Sequence, residues 1–74
     1  MLLAVGLEGA FIGVGRQAHN DVAVYDYYKC VEILMKKHKW TDEEAIEWME
    51  YNVVGAYVGE KTPIFIMFGK EDEE

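Results

Sequence analysis

Apolar positions along this chain change period twice, from strand-like to helix-like and back again. Residues 10–16 (Ala-Phe-Ile-Gly-Val-Gly-Arg) are short, β-branched and aromatic, bounded by Gly9 and a polar stretch, and predict a strand. Residues 21–25 (Asp-Val-Ala-Val-Tyr) predict a second. The intervening Gln17-Ala18-His19-Asn20 is turn-like, so the two strands are expected to pair as an antiparallel hairpin. Gly13 and Gly15 fall on one face at period two. Such a pair admits another backbone, a helix or a ligand, and a helix packed over the sheet is the commoner reason.

Helical spacing takes over at Asp26, whose side chain suits an N-cap. Tyr27, Val31, Leu34, Met35 and His38 then form one stripe, and Lys36, Lys37 and Lys39 crowd the last turn, where cations favour the helix dipole. A second helix opens at Thr41, which with Glu44 makes a capping box, with Trp40 before it as the hydrophobic staple. Ala45, Ile46, Met49 and Val53 form its buried stripe, with Trp48 and Asn52 alongside. A join of only a few residues predicts an antiparallel helical pair. Gly55 is the expected helix stop, with Ala56-Tyr57-Val58 able to extend it to Gly59. Glu60-Lys61-Thr62 reads as a turn, Pro63 pushes Thr62 towards extended geometry, and residues 64–68 (Ile-Phe-Ile-Met-Phe) predict the strongest strand of the chain.

The expected fold class is therefore α+β, in the order β-β-α-α-β: a three-stranded, antiparallel-rich sheet with a two-helix hairpin on one face. Residues 1–69 are expected to form a single small domain and residues 70–74 an acidic, disordered tail. Both faces of the last strand are apolar, Ile64, Ile66 and Phe68 on one and Phe65 and Met67 on the other. A sheet carrying helices on one side only should turn polar on the other, so a greasy second face predicts either a partner, with a homodimer first, or closure by the apolar segment 1–7.

Size sharpens the case for association. A chain of 74 residues is one marginal domain. Its single cysteine, Cys30, allows no internal disulfide, and His19 and His38 stand apart with no metal-type cluster, which leaves oligomerisation as the remaining helper. No cofactor or metal is expected. Two Trp, five Tyr and three Phe supply the aromatics that interface cores favour.

The net charge of −7 is unevenly spread. Segment 16–40 has a small basic excess, whereas segment 41–60 carries Asp42, Glu43, Glu44, Glu47, Glu50 and Glu60 with no basic residue. This balance disfavours direct nucleic-acid binding, which needs a basic footprint. It allows the second helix to steer towards a basic partner, against the plainer reading of a solvated helix face and a solubilising tail. No transmembrane helix is expected, since the apolar start is seven residues long and is ended by Glu8, and it lacks the features of a signal peptide. A lone cysteine and no export signal predict a reducing, cytoplasmic setting.

Chemistry-bearing groups are few. The chain has no serine. Cys30, one turn into a helix, reads as a small buried hydrophobe rather than a nucleophile. No catalytic residue is assigned. Arg16, His19 and Asp21 bring a cation, a base and a carboxylate to the hairpin turn, which an enzyme or ligand-binding protein could use for phosphate handling, or which could simply be a polar turn with Arg16 paired to Asp21. Neither Gly13-Val14-Gly15-Arg16 nor Gly55-Ala56-Tyr57-Val58-Gly59 completes a dinucleotide or P-loop fingerprint.

Tyr25-Asp26-Tyr27, Lys29 to Met35, Glu43-Glu44-Ala45 and the run Tyr51-Asn52-Val53-Val54-Gly55-Ala56-Tyr57-Val58-Gly59-Glu60 through Thr62-Pro63-Ile64-Phe65 resemble small proteins of tailed-phage genomes, over roughly residues 10–68. The resemblance implies a phage or prophage origin and the host bacterial cytoplasm, and carries no catalytic residue across. Small acidic phage proteins often bind host machinery, including bacterial defence systems. The expected function is thus a non-enzymatic binding protein acting as a homo-oligomer on a host protein, with Glu43, Glu47, Glu50, Tyr51 and Tyr57 as its contacts. The alternatives are a small enzyme or ligand-binding protein built on the hairpin turn, and a virion accessory protein.

Overall fold

The computed structural model describes residues 1–54, 59 and 61–68. Strands β1 (Phe11–Gln17) and β2 (Asn20–Asp26) are followed by helices α1 (Tyr27–His38) and α2 (Asp42–Met49) and by strand β3 (Ile64–Ile66). The class is α+β and the order β-β-α-α-β, as the hydrophobic pattern predicts. Gly55–Val58, the predicted helix stop, and the tail from Gly69 lie outside the described residues.

β2 is the middle strand. It pairs antiparallel with β1, from Gln17↔Asn20 to Phe11↔Tyr25, with an irregularity between Phe11 and Gly13. It pairs parallel with β3 through Val24↔Ile64, Tyr25↔Phe65 and Asp26↔Ile66, so the sheet is mixed. Parallel neighbours need a long crossover, and the two helices between β2 and β3 supply it. β3 is also shorter than expected: Met67 and Phe68 follow the strand and are exposed.

Local chemistry sets the helix ends. Asp26 closes β2 and caps α1, its carboxylate accepting from the Lys29 N–H at 3.2 Å. α1 ends with Lys39 in the left-handed region (φ 59°), and the Trp40 N–H donates to the Met35 carbonyl at 3.1 Å. This six-to-one closure normally selects glycine, and here a lysine adopts it. At α2 the capping box is complete: the Glu44 N–H donates to Thr41 Oγ1 at 3.2 Å, and the Thr41 N–H donates to Glu44 Oε1 at 2.9 Å. Beyond Met49 the helix widens into a π-turn, Glu50–Val54.

The core lies on the face of the sheet that carries Ala23 and Tyr25. Tyr27, Cys30, Val31 and Leu34 from α1 and Ala45 and Met49 from α2 pack there, with Leu7 and Ala10 from the segment before β1. Three rings cross the sheet on this face: Phe11 meets Tyr25 edge-on at 5.6 Å, and Tyr25 stacks with Phe65 at 5.5 Å. The N-terminal segment joins this layer. The Ala4 N–H donates to Tyr25 Oη at 2.8 Å, and Leu7 is buried. It therefore packs on the helix-bearing side and does not close the second face.

On that second face the register places Gly13, Gly15, Val22, Val24, Ile64 and Ile66. The two glycines are thus turned away from α1 and α2. A Cβ on Gly15 would lie 3.2 Å from Val24 Cγ2, so a neighbouring valine fills its space, while one on Gly13 would meet nothing within 4 Å. The expected helix over the glycine pair is not found, because the larger residues of the core face hold the helices there. Ile64 and Ile66 remain 43% and 37% exposed.

Candidate functional site

The hairpin end and the outer side of α2 are the two places where the sequence puts candidate residues. At the hairpin end, Arg16 and Asp21 are cross-strand partners, and Arg16 Nε donates to Asp21 Oδ1 at 2.9 Å. Both are exposed, and so is His19 in the turn. An ion pair this open contributes little and leaves both charges in high-dielectric surroundings. A hollow of about 460 Å³ adjoins the turn, but it is lined by Gln17, Ala18, Asn20, Gly59 and residues 62–64. Arg16, His19 and Asp21 do not border it. The structure unites two of the three residues as an exposed surface ion pair, and none of the three lines the adjoining hollow.

The outer side of α2 is different. Glu43 and Glu47 are exposed, and Tyr51, one turn on in the π-segment, is 78% exposed. Glu50 has a second task. Tyr27 Oη donates to Glu50 Oε2 at 2.9 Å, tying the start of α1 to the end of α2. Burial, then this carboxylate, pushes the Tyr27 hydroxyl up to about 12. Tyr57 lies outside the described residues.

The reading of single residues misses Trp40 and Trp48 as a pair. Their ring centroids are 6.3 Å apart and the planes are tilted by 44°, so the two indoles form a wedge. His38 stacks on Trp40 at 4.3 Å and fixes that ring. The wedge borders an open surface depression of about 350 Å³ lined also by Glu44, Glu47, Tyr51 and Asn52. The Asn52 side-chain amide donates to the Trp48 carbonyl at 3.2 Å. The signal was present in the sequence: positions 40, 44, 47, 48 and 51 share one face at a period of 3.6. Trp40 at the cap and Trp48 beside the core stripe are each explained alone, and only the helical projection joins them.

Cys30 is fully buried, and burial followed by the nearby Asp26 charge pushes its thiol up to about 11. At neutral pH it is protonated, which suits a packing residue and not a nucleophile. Among the described residues, no three His, Cys, Asp or Glu side chains gather as a metal site, and no helix is long and apolar enough to cross a membrane.

Comparisons with protein-family models, with curated proteins and with solved structures returned no match to this chain.

Proposed function

We propose that this chain is a non-enzymatic protein-binding module that presents the outer side of α2 to a basic surface of a partner. The observation that carries the reading is the coincidence on one short helix of an unbroken acidic surface with exposed aromatic rings: Glu43 and Glu47 beside Trp48 and Tyr51. Acidic side chains speed and orient the approach of a cationic partner, while aromatic rings supply contact energy at low entropic cost. With the tailed-phage resemblance, the partner is a host bacterial protein in the cytoplasm, and blocking a defence component is one role such binding would serve.

Glu43→Lys with Glu47→Lys tests this. Both positions are exposed, so the circular dichroism spectrum and melting temperature should be retained while the partner recovered by the wild-type chain from a host lysate is lost. Equal recovery by the reversed variant would contradict the electrostatic contact.

The second sheet face supports association of two copies. Ile64 and Ile66 stand exposed there, on a domain too small to leave such surface idle without cost. Light scattering across a concentration series should show a mass above 8.5 kDa; a strict monomer would contradict the homodimer.

A further inference from the structure

Tyr25, Tyr27, Tyr28, Trp40 and Phe65 lie in the core cluster or pack against it. Trp48 does neither. It lies outside the buried cluster, is 36% exposed, and stands as the shared wall between the indole wedge and a second hollow under the N-terminal segment. A tryptophan held open beside carboxylates calls for a ligand that is both flat and positive.

We propose that the wedge of Trp40 and Trp48 takes one arginine side chain of the partner protein, with Glu47 as its counter-charge. This rests on the reading of α2 as the binding surface and names what that surface recognises. A guanidinium group is planar, weakly hydrated and always charged, so it can stack on an indole and fork to a carboxylate at once. Glu47 lines the same open depression as the two rings and Tyr51. Glu44 lines it too, but one of its oxygens is already held by the Thr41 N–H. The surrounding charge is complementary: α2 has Asp42, Glu43 and Glu44 in its first turn and no base in its last. Lysine fits less well, since a compact, strongly hydrated ammonium cannot stack between tilted rings.

The indole N–H resonances of Trp40 and Trp48 report the site directly. They are followed by NMR while N-acetylarginine amide is added to the whole chain at constant ionic strength, with Trp48→Phe assigning the two peaks. Both should move and saturate with a dissociation constant on the order of 10 mM, the scale of a few weak contacts without the rest of the partner. Glu47→Gln, at an exposed position, should weaken the response about two- to fivefold, the size of one exposed ion pair. N-acetylglutamine amide, of similar size but neutral, should leave the peaks in place. Peaks that stay still with the arginine amide, or that move equally with the glutamine amide, overturn the proposal. A stronger response to N-acetyllysine amide or to tetramethylammonium overturns the assignment to arginine. The two levels separate cleanly. Silent indoles with partner binding still lost in Glu43→Lys/Glu47→Lys remove the arginine site and leave the binding surface. Responsive indoles with partner binding retained by that variant remove the surface and leave the site.

Discussion

Two sets of aromatic side chains share this domain. Tyr25, Tyr27 and Phe65 belong to the packed layer, and the polar ends of the tyrosines have partners: Tyr25 Oη accepts from the Ala4 N–H, and Tyr27 Oη donates to Glu50. Trp48 and Tyr51, on the outer side of α2, are open to solvent next to Glu44 and Glu47. The first set is where a small domain must invest, because a buried ring with a satisfied hydroxyl gives apolar burial without an orphaned polar atom. The second set adds exposed apolar area, which the fold does not require. Ala45 and Met49, with Ile46 packed beside them, form the inner side of α2, and positions 47, 48 and 51 lie outside that set. The contrast ties the inner aromatics to stability and leaves the outer ones to the binding role proposed above.

The largest effect that would break this contrast lies in the middle of the sheet. Tyr25→Ala removes the ring that joins Phe11 to Phe65 and the acceptor of the Ala4 N–H, and should cost about 3–5 kcal/mol. That is a large share of the stability of a domain this size, so urea unfolding should find it partly or wholly unfolded. A well-folded Tyr25→Ala would place the core elsewhere.

Next comes alkaline pH. The Tyr27 hydroxyl is pushed up to about 12 from its ordinary 10.0, and the Cys30 thiol up to about 11 from 9.0, so the fold prefers both groups protonated. Their contribution is complete below pH 9 and is lost as pH rises, for Cys30 between pH 9 and 11 and for Tyr27 between pH 10 and 12. Tyr27→Phe should cost about 1–2 kcal/mol at neutral pH by removing the donor to Glu50. It should also flatten the alkaline loss above pH 10 while leaving the Cys30 part. An unchanged profile would detach Tyr27 from the stabilising set.

A smaller effect is expected at the start of α2. Thr41→Ala breaks the capping box and should cost about 1 kcal/mol, read as a shift of the urea midpoint. If Thr41→Ala also loosened Trp40, the indole wedge would depend on the cap, and the two regions would be coupled rather than separate.

What the sequence discloses follows the range of each interaction. The Asp26 cap and the Thr41–Glu44 box lie within three residues and were legible from residue type alone. The inner stripes of both helices were legible from period, except that His38, expected in the α1 stripe, is exposed and stacks on Trp40. Three features were not. Parallel pairing of β3 depends on where the helical crossover returns the chain, which no local pattern encodes. The left-handed Lys39 is hidden because the position carries no glycine to mark it. The Tyr27–Glu50 bond joins positions 23 apart, and it gives one predicted contact residue a structural task as well. At the candidate site, Glu43, Glu47 and Tyr51 were singled out by charge and aromaticity and are exposed in the structure, whereas the Trp40–Trp48 wedge needed the helix to be projected across its cap.

That the outer set lies outside the packing that stabilises the fold is tested most directly by the urea unfolding curve of the double variant Glu47→Gln, Tyr51→Ala. The account predicts a stability within about 0.5 kcal/mol of the wild type, the range of surface changes that disturb no packing. A loss of about 2 kcal/mol or more, with a mechanism of the kind seen for buried groups, would contradict it and return Tyr51 and Glu47 to the fold.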